Sequence, residues 1–201
     1  MIAIIDYGMG NLRSVQKAIE KIDCPVMITE KPEELLKADK AILPGVGAFG
    51  DGITEIKKRH LDIPIRAFLA DGKPFLGICL GLQLLFSHST EEGQHEGLGI
   101  LPGRVVRIED QPGLKVPHMG WNQIEVRKET PLLQNVPTGS YFYFVHAYVA
   151  QPENPAVIAA ETPYPGPFTS IISHKNVMAT QFHPEKSQDI GLRLLRNFAE
   201  L

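Results

Sequence analysis

From residue 2 to residue 86 the chain alternates short, unbroken apolar runs with stretches whose apolar residues recur at helical spacing, which leaves few architectures open. Runs at 2–6, 26–29, 41–43 and 75–78 read as buried strands. Between them, residues 11–22 place Leu12, Val15, Ala18, Ile19 and Ile22 on one face, and 32–38, 52–58, 63–70 and 80–86 also read as helices. Strands that are apolar on both faces and separated by helices imply right-handed crossovers and a parallel sheet covered on both sides. From Arg104 onward the pattern changes to strand-like runs at 105–108, 122–126, 141–149, 157–160, 169–173 and 177–182, punctuated by turn residues such as Gly166 and Asn176. Several of these must pair antiparallel, extending or flanking the parallel core. A final helix over 187–200 carries Ile190, Leu194 and Phe198 on one face, with Ser187 expected as its N-cap. There is no repeat or linker, so one three-layer α/β domain over 1–201 is expected.

Composition matters mainly for what it excludes. A net charge of -3 and a pI near 6.2 give no electrostatic footprint for nucleic acid or an anionic membrane. The start, Met1-Ile2-Ala3-Ile4-Ile5-Asp6, is a first strand and no signal peptide, and no apolar run approaches the ~20 residues of a membrane span. Two cysteines, Cys24 and Cys79, do not make a disulfide scaffold, so the expected setting is the reduced cytoplasm. His60, His88, His95 and His174 show no paired spacing with acids or thiols, so neither a metal nor another cofactor is expected.

Gly77-Ile78-Cys79-Leu80-Gly81 follows an apolar strand and opens a helix, the setting of a nucleophile elbow. Glycines two before and two after the reactive residue remove side chains that would crowd the turn. The helix N-terminus favours a thiolate at Cys79, and the Leu80 N–H points where an oxyanion would form. The plainer reading of Cys79 is a small buried hydrophobe. Cys24, just before Pro25, has no such frame and is assigned to packing.

A catalytic cysteine needs a base, and His183-Pro184-Glu185 supplies one just past the last apolar run. Pro184 stiffens extended backbone, in which residues two apart share a side, so Glu185 is expected to reach the His183 ring and fix its tautomer. Pro44-Gly45-Val46-Gly47-Ala48-Phe49-Gly50 satisfies the dinucleotide pattern G-x-G-x-x-G, but that fingerprint belongs at the first strand–helix turn, where Arg13 stands instead of the third glycine. The better reading is a flexible backbone strip beside Cys79 that gives the oxyanion a second N–H.

Together these blocks resemble the class I (triad) glutamine amidotransferase family, whose two signatures are the Gly-Ile-Cys-Leu-Gly elbow and Gln181-Phe182-His183-Pro184-Glu185. Four further blocks narrow the resemblance to the glutaminases that serve imidazole glycerol phosphate synthase. They are Asp6-Tyr7-Gly8-Met9-Gly10-Asn11-Leu12, the strip from Pro44 to Phe49, Lys115-Val116-Pro117-His118-Met119-Gly120-Trp121-Asn122, and Tyr143-Phe144-Val145-His146. The resemblance implies a flavodoxin-like fold, with Cys79 as nucleophile, His183 as general base and acid, and Glu185 as orienter. It implies an oxyanion hole from the backbone of Leu80, Val46 and Gly47. Gln83, on the Cys79 face of its helix, and Glu91 would bind L-glutamine, with the backbone of His146 and Ala147, where the family often has Ser in place of Ala147. Asn11, Lys115, His118, Trp121 and Lys186 resemble partner-interface residues, although solvated lysines and a packed His118 and Trp121 serve equally well as readings.

The activity so implied is hydrolysis of glutamine to glutamate and ammonia through a thioester. Nothing resembles an acceptor site, P-loop or adenylation motif, so ammonia would pass to a separate (β/α)8-barrel cyclase, in a heterodimer that makes imidazole glycerol phosphate and aminoimidazole carboxamide ribotide for histidine biosynthesis. The alternatives are a glutaminase of another synthase, another cysteine hydrolase, and a non-catalytic nucleotide-binding module.

Overall fold

The computed structural model describes residues 1–201. Its first half follows the expected alternation: β1 (Ile2–Ile5), α1 (Leu12–Glu20), β2 (Val26–Thr29), α2 (Pro32–Lys37), β3 (Lys40–Gly45), α3 (Phe49–Lys58), α4 (Asp62–Ala70), β4 (Phe75–Cys79) and α5 (Leu80–Gln83). The remainder is mostly strand: β5 (Phe86–Ser89), β6 (His95–Glu96), β7 (Leu101–Arg107), β8 (His118–Gln123), β9 (Glu125–Val126), β10 (Tyr141–His146), β11 (Tyr148–Pro152), β12 (Ile158–Pro163), β13 (Pro167–His174) and β14 (Val177–Thr180), closed by α6 (Gln188–Ala199).

The main sheet has the order β2-β1-β3-β4-β14-β13-β12-β9. Its first five strands are mutually parallel, and β13, β12 and β9 extend it antiparallel. All four residues of β1 are buried, as a strand covered on both faces requires. Ala3 and Ile5 join one core with Leu35 of α2, Phe49 of α3 and Phe68 of α4, while Ile2 and Ile4 join a second with Val15 of α1 and Phe198 of α6. That is a helix–sheet–helix sandwich, with β11-β7-β5-β6 and the β10-β8 ribbon as smaller sheets beside it. No helix is long and apolar enough to cross a membrane.

Four expectations change. The helix expected over 80–86 ends at Gln83, because the carbonyls that would continue it are bonded elsewhere: Leu98 N–H donates to Leu84 O at 2.8 Å and Ile100 N–H to Leu85 O at 2.9 Å. The run 141–149 is two strands, β10 paired with β8 and β11 with β7, broken at Ala147, whose carbonyl accepts from Ile108 N–H at 2.8 Å. The run 122–126 likewise divides between β8 and β9. Ser187 does stand at the N-terminal boundary of α6 but caps nothing: its hydroxyl donates to His183 O at 2.7 Å and accepts from Tyr143 N–H at 3.0 Å.

Candidate active site

β3, β4 and β14 run parallel side by side, so their C-terminal ends deliver the glycine strip, Cys79 and His183 to one edge of the sheet. Cys79 has φ 55° and ψ −109°, a backbone strained for any residue with a Cβ. The turn is tight enough to require both flanking glycines: a Cβ on Gly77 would lie 2.7 Å from Gly81 O, and one on Gly81 would lie 1.8 Å from Leu43 O. The thiol that results is buried, with Sγ 3.9 Å from Val145 O.

His183 is fixed through its backbone, its N–H donating to Tyr143 O at 2.9 Å. Its Nδ1 lies 2.8 Å from Glu185 Oε1, and both side chains are 2% exposed. The contact is made differently from the extended geometry expected: Pro184–Lys186 forms a 3-10 turn that folds Glu185 back to the ring. Nε2 has no nitrogen or oxygen partner. Burial alone would push His183 down, but the Cys79 thiol and the Glu185 carboxylate raise its pKa to about 10. Tyr7 is fully buried with an unpartnered hydroxyl, and burial first and Cys79 second push its ionisation upward.

The mouth of this site is a cavity of about 260 Å³. Of the residues expected there, Val46, Gly47, Cys79, Leu80, Gln83, Glu91, His146 and Ala147 all line it, together with Val145 and Tyr148. Gly45 pairs with Cys79 across β3 and β4, and a Cβ on it would meet the Tyr7 hydroxyl at 2.1 Å. Gly47 has φ 108°, a conformation suited to glycine. Glu91 accepts from Phe49 N–H at 2.8 Å, capping α3 from 42 residues away and starting that helix three residues earlier than the expected 52. Burial raises the Glu91 pKa. At this glycine pattern Gly45 is the last residue of β3, and a Cβ on Gly50 would meet the His95 ring at 2.7 Å. A larger open groove of about 900 Å³ between Val126 and Thr138 has Glu129 as its only charged lining residue and no nucleophile.

One neighbour of Cys79 did not emerge from the sequence as a site residue. Gln83 Nε2 donates to Tyr148 O at 3.1 Å and to Gln181 Oε1 at 3.2 Å, and Gln181 Nε2 in turn lies 3.8 Å from Cys79 Sγ. The available signal was position: Gln181 stands just past the end of β14 and two residues before His183.

The residues expected at an interface are not all at the surface. Lys115 and Lys186 are exposed, and Trp121 is 46% exposed, edge-on to Tyr143. Asn11 is exposed but caps α1, accepting from Ser14 N–H at 3.3 Å. His118 is turned inward, stacked on Tyr164 at 3.9 Å with Nδ1 3.0 Å from His146 Nε2. No three His, Cys, Asp or Glu side chains gather as metal ligands would.

The family model of class-I glutamine amidotransferases matches residues 3–200. The chain is 52% identical to the imidazole glycerol phosphate synthase subunit HisH of Syntrophotalea carbinolica, with 100% of each chain covered. It is 53% identical to HisH of Rhodopirellula baltica (99% of this chain, 97% of the relative) and 50% to that of Aquifex aeolicus (97% and 94%). Among solved structures, a crystal structure of a glutamine amidotransferase superposes with a TM-score of 0.78 at 20% identity, covering 100% of this chain and 98% of that one. The PurLQS structure from Thermotoga maritima superposes with a TM-score of 0.76 at 17% identity (99% and 97%), a likeness of fold alone.

Proposed function

This chain belongs to the class-I glutamine amidotransferase family, and from that we infer that it works as the glutaminase subunit of an imidazole glycerol phosphate synthase. The reading is carried by one arrangement: a strained, buried cysteine and a histidine–carboxylate pair meet at the ends of two adjacent parallel strands. The whole chain serves as one glutaminase domain in the cytoplasm.

Glu185 accepts from His183 Nδ1–H, which leaves Nε2 as the base toward Cys79. The thiol proton passes to Nε2 and the sulfur attacks the side-chain amide carbon of glutamine. Negative charge builds on the former carbonyl oxygen, where the backbone N–H groups of Leu80 and the Val46-Gly47 strip donate; one such donor is worth ~10²–10³ in rate. The C–N bond breaks as His183 returns the proton to the departing ammonia. A water deprotonated by His183 then cleaves the thioester and releases glutamate. Gln83 has both N–H groups engaged, so toward a ligand it is purely an acceptor, suited with Glu91 to the substrate ammonium.

Ammonia released into water is protonated and lost, so it needs a sheltered exit to a second site. The β8–β10 ribbon supports a partner there. Met119, Trp121 and Tyr141 are exposed on it, and Val145 of the same ribbon borders Cys79. The partner is the barrel cyclase of the synthase, engaged also by Lys115, Lys186 and Asn11. Its binding reorients the Val46-Gly47 peptide and completes the oxyanion hole.

The test is glutamate release by the chain alone, with the cyclase, and with cyclase plus acceptor ligand, beside a Cys79→Ala control. Activity mainly in the third sample, abolished in the control, is expected. Full activity of the chain alone would refute gating, and silence throughout would refute the glutaminase reading.

A further inference from the structure

We propose that the Gln181 carboxamide is a catalytic hydrogen-bond donor to the Cys79 thiolate, held in the donating orientation by Gln83. The orientation follows from a chain of acceptors. Tyr148 O can only accept, so the group of Gln83 that faces it at 3.1 Å is the NH₂. The second hydrogen of that NH₂ points to Gln181 at 3.2 Å and must meet its oxygen. Gln181 therefore turns its own NH₂ to Cys79 Sγ, 3.8 Å away and within the reach of a sulfur acceptor. Reversing Gln83 would set its oxygen against Tyr148 O, and reversing Gln181 would set its NH₂ against that of Gln83.

Gln181 is fully buried, its backbone N–H donates to Ser170 O at 2.9 Å, and its side-chain NH₂ has no other partner than the sulfur. An amide N–H is a far better donor to an anion than to a neutral thiol, so the contact favours the charged form. When the Cys79 proton passes to His183 Nε2, the sulfur gains a lone pair and loses its donor capacity, and the Gln181 bond tightens. The thiolate thus has a fixed dipole on one side and the protonated base on another.

The titratable groups around Cys79 are His183 and Glu185 after β14, Tyr7 after β1, and Glu91, His146 and Tyr148 in the cavity wall. None of them hydrogen-bonds the Gln181 side chain, whose partners are Gln83 and Cys79.

The test follows Cys79 alkylation by iodoacetamide against pH, read peptide by peptide so that half-buried Cys24 does not intrude. It uses no glutamine, and so stands or falls separately from the glutaminase reading on which the catalytic role rests. Gln181→Met keeps the side-chain length without the donor. Gln83→Met leaves the Gln181 amide in place but unaimed. Each is expected to move the alkylation midpoint up by about one pH unit and to slow the reaction at neutral pH about tenfold. Thermal melting identifies which variants are folded. An unshifted midpoint in either folded variant would overturn the proposal, because a merely structural role changes amplitude and leaves the midpoint in place.

Discussion

His118 and His146 are buried near His183 yet carry the opposite electrostatics. Burial pushes all three rings toward neutrality, but only His183 has a carboxylate and a thiol beside it. His146 donates Nδ1–H to Tyr148 O, so its Nε2 accepts from His118 Nδ1–H, and His118 Nε2 accepts from Asn122 Nδ2 at 3.3 Å. Both rings are neutral, and burial takes His118 down to about 4 and His146 to about 3. In the unfolded chain both take up a proton near pH 6.5, whereas the folded chain refuses it until those lower values. Their contribution to stability is therefore complete above pH 6.5 and is lost as pH falls toward 4 and then 3. His183 has the reverse sign: its contribution is present below pH 6.5 and is lost as pH rises through about 10, so it adds no slope on the acid side. Urea unfolding between pH 6.5 and 5, below the range in which His183 contributes a slope, should show stability falling on acidification, and His118→Phe should flatten that slope by up to one proton's worth. A pH-independent midpoint would contradict the neutral pair. The sequence marks His183 through its own neighbours, Pro184 and Glu185. His118 has no such mark, because Phe144, Tyr164 and Phe168, which enclose it, arrive from distant segments.

The elbow joining β4 to α5 is legible in sequence because its requirement is local: two glycines and a cysteine at fixed spacing. Its severity is not, since what crowds Gly81 is the Leu43 carbonyl on the neighbouring strand. Backbone cannot yield as a flexible side chain does, so Gly81→Ala should cost ~3 kcal/mol or more by denaturant unfolding. Gly166→Ala, with nothing within 4 Å of the added Cβ, is the matched control and should stay within ~0.5 kcal/mol. Equal losses at the two positions would show that packing is not the cause. The same distinction explains which elements were misjudged. β1 to β4 and their helices are set by apolar periodicity within each segment, and their limits are nearly those expected. α5 stops short, and the run from Tyr141 to Val149 breaks, because carbonyls of Leu84, Leu85 and Ala147 are bonded by chain far away in sequence.

In the protein as a whole, the β8–β10 ribbon exposes large apolar side chains beside the cavity. On β8 and β10 the exposed Met119, Trp121 and Tyr141 alternate with the buried His118, Phe142 and Phe144, so the ribbon is anchored by one face and bare on the other. Large aromatic side chains at the centre of such a face dominate affinity when a partner covers them. Trp121→Ala should weaken cyclase binding at least ~30-fold by calorimetric titration, while the rate of Cys79 alkylation stays that of the parent chain. Unchanged affinity would place the partner on another face. The expected parallel core with antiparallel strands beyond it describes the sheet as found, but the bare ribbon depends on pairing β8 with β10 across residues 124–140, which contain β9 and a 3-10 turn, and no single segment specifies that.

The position of β14 carries one more consequence. It lies between β4 and β13, yet it is the last strand to be made, so during synthesis β4 waits with one edge unpaired while more than half of the chain is still to come. On the roles proposed for Cys79 and His183, the nascent chain holds a cysteine without its base until residues 177–185 have been made. Under that proposal, the insertion that completes the sheet also completes the candidate active site, and a product truncated before β14 should be inert and expose the β4 edge.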